Sequence, residues 1–114
     1  MKKECPPGAL EDPRPVIKLA DGDVLVVKRR FSAFSGSDLE ILLRAQEIKH
    51  LVLTGIVTSG VVLVTALEAA DMDFRITILS DLCADADPDV NDFLLQKVLS
   101  QQCDVITSDQ WING

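Results

Sequence analysis

The 114-residue sequence has no tyrosine, one tryptophan, one histidine and three cysteines. Cys5, Cys83 and Cys103 are widely separated and form no C-x-x-C pair, so neither a zinc site nor a disulfide framework is predicted. The 11 basic residues are outnumbered by 18 acidic ones, and the net charge of −7 argues against nucleic acid or an anionic membrane surface as partner. Apolar runs are too short to span a bilayer, and the start lacks the apolar segment of a signal peptide. We therefore expect a cytoplasmic protein with one hydrophobic core.

The chain divides into a short arm and one domain. Four of the five prolines fall within residues 1–15, which have no periodic pattern, so residues 1–21 are predicted to be an irregular arm. From residue 22 to 114, β-branched runs alternate with stretches of helical spacing. Strands are predicted at 23–29, 49–55, 74–81 and 103–109, and helices at 37–46, 60–71 and 88–101. This alternation predicts an α/β fold in which helices cover both faces of a parallel sheet, giving three layers.

Specific residues support the helix boundaries and the burial of the strands. Ser37 and Glu40 have the spacing of a capping box, and Asp87 followed by Pro88 is typical of a helix start. The 49–55 strand is uniformly apolar in its middle, as expected for a strand covered on both faces. In such folds the carboxyl ends of the strands gather at one edge. We expect Lys28, the turn at 55–60 and the acids at 81–85 to lie there.

The stretch LTGIVTSGVV, residues 53–62, predicts a sharp turn from a strand into a helix, the position where many enzymes hold a nucleophile. A catalytic serine would need a histidine base, but His50 lies at the opposite end of the strand. A phosphate-binding loop would need Lys-Ser/Thr where Val61 and Val62 stand. Two interpretations remain open: Thr58 and Ser59 cap the helix, or the backbone amides hold a developing oxyanion.

Two other polar features have similarly divided interpretations. Lys28 ends an apolar strand, so its ammonium either extends into solvent or stabilises an anion at the edge of the sheet. The run DADPDVND, residues 85–92, begins with the acidic spacing of a calcium loop. It lacks the glycine and the glutamate that the loop requires, having Val90 and Gln96 there, so its acids are expected to cap a helix and no metal site is predicted.

The segments VVKRRFSAF, LVLTGIVTSGVVLVTALEAAD, ITILSDLCAD and DVITSDQW together resemble the isochorismatase-like hydrolases, also called the cysteine hydrolase superfamily. The resemblance covers residues 22–114 and implies a Rossmann-like fold with a six-stranded parallel sheet of order 3-2-1-4-5-6, of which the first two strands are absent here. It also implies homodimers or larger assemblies. No cofactor is expected, because the metal ligands of the nicotinamidase branch belong to the absent strands.

The resemblance assigns roles to residues at both ends of the predicted site. Lys28 matches the catalytic lysine, in a motif that continues through Phe31 and Phe34. The backbone amides of Val57 and Val61 match the oxyanion hole, and the family's non-proline cis peptide bond falls at Ile56–Val57. Val61 occupies the position of the nucleophilic cysteine, and the catalytic aspartate belongs to an absent strand. The residues implied to line the substrate pocket are Phe31, Phe34, Thr58, Ser59 and Gly60.

Three functional hypotheses follow from these matches. The first is a fragment of a hydrolase that acts on C–O (vinyl ether) or C–N (amide) bonds of small molecules, inactive as given because the aspartate and the cysteine are missing. The second is a catalytically dead module that binds a small anion or a partner subunit. The third is a truncated product without a function of its own. Residues 49–109 should keep a three-stranded parallel sheet, while residues 22–34 detach, pair with the 51–55 strand, or need a partner chain.

Overall fold

The computed structural model describes residues 20–114, so the predicted arm lies almost entirely outside the described residues. The strands are β1 (His50–Ile56), β2 (Arg75–Ala84) and β3 (Asp104–Ile106). The α-helices are α1 (Leu39–Ala45), α2 (Leu63–Asp71), α3 (Pro88–Phe93) and α4 (Ser108–Asn113). A π-helical turn at Thr58–Val62 leads into α2, and α3 continues through a π-helical turn at Leu94–Val98 and a 3₁₀ turn at Leu99–Gln101.

The three strands form one parallel sheet in the order β1-β2-β3, which confirms the predicted sheet for residues 49–109. The pairing of β1 with β2 shifts near its end: Leu53 lies opposite Ile78, but Gly55 lies opposite Cys83. The predicted strand 74–81 is therefore too short, since β2 continues to Ala84. This irregularity brings the last residues of β1 beside the acidic segment that follows β2.

One face of the sheet carries the hydrophobic core. Ile76 and Ile78 point to this face and are fully buried, because α2 and the helical stretch 88–101 pack over them. Cys83 and Cys103 are both buried. The other buried apolar residues of the cluster are Phe34, Val62, Ala66, Ala69, Phe74, Leu95 and Leu99.

The opposite face is covered mainly by the short helix α4. Its Trp111 packs edge-to-face on His50 at a centroid distance of 5.9 Å, and His50 Nε2 lies 2.7 Å from Thr77 Oγ1. His50 is thus half-buried. Farther along β1, Val52 is 37% exposed and Ile56 is 70% exposed. The expectation that both faces of this strand are covered is wrong, because six residues of α4 cannot reach along the whole strand.

The predicted strand at 23–29 is wrong as well. These residues form no strand, and no backbone hydrogen bond joins them to the sheet within the described part of the chain. A β-branched sequence becomes a strand only when a neighbouring strand satisfies its amides and carbonyls. Of the three outcomes expected for residues 22–34, detachment from the sheet is the one observed for 23–29.

Two element boundaries also differ from the sequence prediction. The first helix begins after Asp38, whose side chain makes no capping hydrogen bond. The hydroxyl of Ser37 donates to the carbonyl of Ala33 and accepts from the amide of Leu39 at 3.3 Å, so the predicted capping box with Glu40 does not form. The predicted strand 103–109 ends at Ile106, where Thr107 and Gln110 form a capping box that starts α4. In each case the local hydrogen bonds of a Ser or Thr hydroxyl decide the boundary.

The start of α3 is as predicted. The Asp87 side chain accepts hydrogen bonds from the amides of Asp89 and Val90, and Pro88 occupies the first helical position. The acidic run at 85–92 therefore does cap a helix.

Candidate functional site

The turn between β1 and α2, residues 55–62, lies at the carboxyl edge of the sheet. The Ile56–Val57 peptide bond is cis, as predicted, and Gly55 has a φ of 135°, which favours glycine. The amides of Gly60 and Val62 both donate to the carbonyl of Val57, at 3.1 and 3.3 Å. The chain thus winds into a wide first helical turn in which two amides share one carbonyl acceptor.

Thr58 fixes this turn to its neighbours. Its side chain is completely buried, and its hydroxyl lies 2.5 Å from Asn91 Oδ1 and 3.3 Å from the carbonyl of Ala84. The interpretation of Thr58 and Ser59 as helix caps is wrong, because the cap position is Val57 and no side chain caps there. The hydroxyl of Thr58 faces inward, joining the turn to the end of β2 and to α3.

Asp85 supplies the negative charge at the start of this helix. The amide of Ser59 donates to Asp85 Oδ2 at 2.7 Å. Hydrogen bonds from the Ser59 side chain and then from its amide lower the pKa of Asp85 below its usual value, because they stabilise the carboxylate. Asp81 makes the same arrangement with Ser108 at the start of α4, and its pKa is lowered for the same reason.

The sequence indicated that Asp81 and Asp85 lie at this edge but not which amides they contact. Those contacts cross 26 and 27 residues of sequence, so no local spacing could reveal them. Asp85 therefore holds the start of the helical turn at Thr58–Val62 in place, and Asp81 holds the start of α4.

Of the two phenylalanines predicted to line a pocket, Phe31 borders the turn and Phe34 lies in the core. A β-carbon placed on Gly60 would lie 4.0 Å from Phe31 Cδ1, and the Phe31 side chain is 74% exposed. Phe34 is buried and stacks on Phe74 at a centroid distance of 6.0 Å. The connecting segment is anchored to α2, because the amide of Ala33 donates to Thr65 Oγ1 at 2.9 Å.

Lys28 lies in solvent with two arginines beside it. Its ammonium donates to the carbonyl of Arg30, and the Arg30 guanidinium donates to the carbonyl of Arg29. A shallow cavity of about 310 Å³ is lined by these three residues and Phe31. Of the four residues that line this cavity, Phe31 is the one that lies beside the turn, next to Gly60.

The turn itself presents no side-chain nucleophile at the position where the family resemblance requires one. Val61 is half-buried and packs against the hydrophobic core. Cys83 and Cys103 are free thiols inside the protein, and burial raises the pKa of each. His50, at the far end of β1, bonds to Thr77 rather than to any residue of the turn. The described residues therefore hold no thiolate or serine–histidine pair at this site.

No group of three or more His, Cys, Asp and Glu side chains within residues 20–114 could hold a metal ion. None of the helices in the same range is long and apolar enough to cross a membrane.

Comparisons with known proteins place the chain in a family. The sequence model of the isochorismatase domain matches residues 2–110. The isochorismatase family protein YaaI of Bacillus subtilis (strain 168) is 30% identical over 98% of this chain and 62% of its own length. N-carbamoylsarcosine amidase of Arthrobacter sp is 34% identical over 79% of this chain and 34% of its own length.

A solved isochorismatase family structure from Burkholderia thailandensis superimposes with a TM-score of 0.81 at 31% identity. The match covers 96% of this chain and 60% of that protein, so the chain spans less than two thirds of each of these three relatives. With a parallel sheet, a solved relative of the same fold and a domain match over nearly its whole length, the chain belongs to the isochorismatase family of hydrolases.

Proposed function

We propose that these residues form the lysine-and-turn part of an isochorismatase-like hydrolase site, and that the 114-residue chain alone is inactive. The observation that carries the proposal is Val61 at the turn, where the resemblance requires a cysteine. Its side chain has no atom that can attack a carbonyl or transfer a proton.

The remaining parts of the site suit hydrolysis of small molecules at an amide or vinyl ether bond. In this proposal the amides of Val57 and Val61 stabilise negative charge on a carbonyl oxygen. Lys28 supplies positive charge near the turn, and Phe31 forms an apolar wall. Similarity to N-carbamoylsarcosine amidase supports an amide as the bond class.

Turnover assays on isochorismate and on N-carbamoylsarcosine test the proposed inactivity. Cysteine substitution tests whether the helix start at the turn stabilises negative charge. The chain should hydrolyse neither compound. A thiol introduced by Val61→Cys should be alkylated by iodoacetamide several-fold faster than one introduced by Val64→Cys, because the helix start stabilises a thiolate. Val64 is the control, being an exposed valine one turn farther along the same helix, so faster alkylation at the half-buried position 61 cannot come from greater exposure. Hydrolysis by the unmodified chain, or equal alkylation rates, would contradict the proposal.

The basic group favours a second candidate, a catalytically dead module that binds a small anion. Lys28, Arg29 and Arg30 line one open cavity with Phe31, so a planar carboxylate could meet both charge and ring. Calorimetric titration with isochorismate distinguishes the two candidates. Binding that is lost in Arg30→Ala, without turnover by the chain or by its Val61→Cys variant, would favour the module.

A further inference from the structure

The loop that carries Phe31, residues 31–37, contains no helix or strand and yet packs into the domain. Ser32 and Phe34 are buried, at 2% and 7% exposure. The amide of Phe34 donates to Ser32 Oγ at 3.1 Å, and the amide of Ser37 donates to the carbonyl of Phe34 at 3.2 Å. Burial and these local bonds give the loop a defined shape, but they do not join it to the turn.

Two side chains of α2 bind the loop from outside. Thr65 Oγ1 accepts a hydrogen bond from the amide of Ala33 at 2.9 Å. The carboxylate of Glu68 accepts from the hydroxyl of Ser35, at 3.3 and 3.4 Å to its two oxygens. Residues three apart lie on the same face of a helix, so Thr65 and Glu68 present their oxygens side by side. The loop is therefore fastened along one face of α2.

The same helix continues directly from the turn that Phe31 borders. A β-carbon placed on Gly60 would lie 4.0 Å from Phe31 Cδ1 and 3.2 Å from Val57 Cγ2, so these two side chains flank Gly60. Thr65 follows Gly60 by five residues, little more than one helical turn, and Ala33 follows Phe31 by two. A phenyl ring has no hydrogen-bonding atom, so the position of Phe31 depends on the backbone that carries it.

Of the two contacts, the one with Thr65 is the stronger. Its distance of 2.9 Å is normal for an amide donor, whereas the distances to Glu68 are long for a hydroxyl donor. Thr65 is 6% exposed, so water has little access to replace its bond, but Glu68 is half-buried. Ala33 is also two residues nearer to Phe31 than Ser35 is. Thr65 therefore has the greater influence on where Phe31 lies.

We propose that Thr65 is a positioning residue that fixes Phe31 beside Gly60, by accepting the hydrogen bond from the amide of Ala33. The inference rests on the proposed function, in which Phe31 is the apolar wall of the substrate site. Thr65 acts through the loop and sets the distance between this wall and the turn. The size of the apolar group that fits between them thus depends on a buried hydroxyl about one helical turn away.

Proton NMR of the folded 114-residue chain tests the proposal through cross-relaxation between the Phe31 ring and the α-protons of Gly60. Thr65→Val keeps the shape of the side chain but removes the oxygen that accepts from Ala33. The Phe31–Gly60 cross-peak should therefore lose most of its intensity in this variant. Thr65→Ser restores the oxygen and should restore the cross-peak.

Two controls accompany these variants. The cross-peak between the rings of Phe34 and Phe74, which stack at a centroid distance of 6.0 Å, should persist in every variant, because it reports the core beneath the loop. Glu68→Ala removes the weaker contact with the loop and should keep most of the Phe31–Gly60 intensity. A loss in Glu68→Ala as large as in Thr65→Val would assign the positioning to Glu68 and overturn the proposal.

Deuterium exchange of the Ala33 amide in the unmodified chain needs no variant. This amide should exchange much more slowly than in the urea-unfolded chain, because its bond to Thr65 must open first. Exchange at the unfolded rate, an undiminished cross-peak in Thr65→Val, or no recovery in Thr65→Ser would overturn the proposal. Equal alkylation rates at positions 61 and 64 would instead refute the proposed function and leave these results unchanged, so the two failures are distinguishable.

Discussion

The hydroxyl of Thr58 is the sharpest test of how the turn is held. Thr58→Val keeps the shape of the side chain but removes its hydrogen bonds to Asn91 and to the carbonyl of Ala84. A typical hydrogen bond contributes about 1 kcal/mol, and an acceptor left buried without a donor costs about 1–3 kcal/mol. Asn91 is only half-buried, so water can replace part of the lost contact. We therefore expect a loss of about 1–2 kcal/mol in the free energy of unfolding.

Urea unfolding followed by far-ultraviolet circular dichroism measures this loss. Thr54→Val is the matched control, because Thr54 lies on β1 four residues earlier with its side chain exposed. Its effect should stay within about 0.5 kcal/mol. The variant Asn91→Ala and the double variant complete a cycle, in which the pair should show a coupling of at least about 0.5 kcal/mol.

Equal stability of the Thr58 and Thr54 variants would refute the role given to the buried hydroxyl. Strict additivity of the Thr58 and Asn91 substitutions would show that the 2.5 Å contact contributes nothing to holding α3 against the turn.

Two further predictions concern the titrating groups. Because folding lowers the pKa of Asp81 and Asp85 below 3.8, their contribution to stability should be complete at neutral pH and be lost as the pH falls below that value. Urea midpoints measured between about pH 6 and pH 2.5 should therefore fall less steeply in a double Asp→Asn variant, and an unchanged slope would contradict the assignment. Cys83 and Cys103 should react with a thiol reagent only slowly until urea unfolds the chain, because both are buried and their pKa is raised. Rapid native labelling of either one would contradict their placement in the core.

Local patterns in the sequence identified the fold class and the place of the site. The apolar runs around Ile76 and Val105 and the helical spacing between them predicted a parallel sheet, because these periodicities depend on burial alone. Asp87 and Pro88 predicted the start of α3 because capping involves residues only two or three apart. The resemblance located the cis bond at Ile56–Val57 and the valine at the nucleophile position, since both depend on a motif read directly along the chain.

Contacts between distant segments decided the rest. The sequence of 23–29 has strand character, but strand formation needs a partner edge, and only the tertiary structure shows that no strand among residues 20–114 pairs with it. The hydroxyl of Thr58 and the carboxylate of Asp85 find their partners across 33 and 26 residues of sequence. Hydrogen bonds of this kind depend on how β1 and β2 are placed side by side. The sequence alone could therefore assign residues to the turn, but it could not identify the contacts that hold the turn in place.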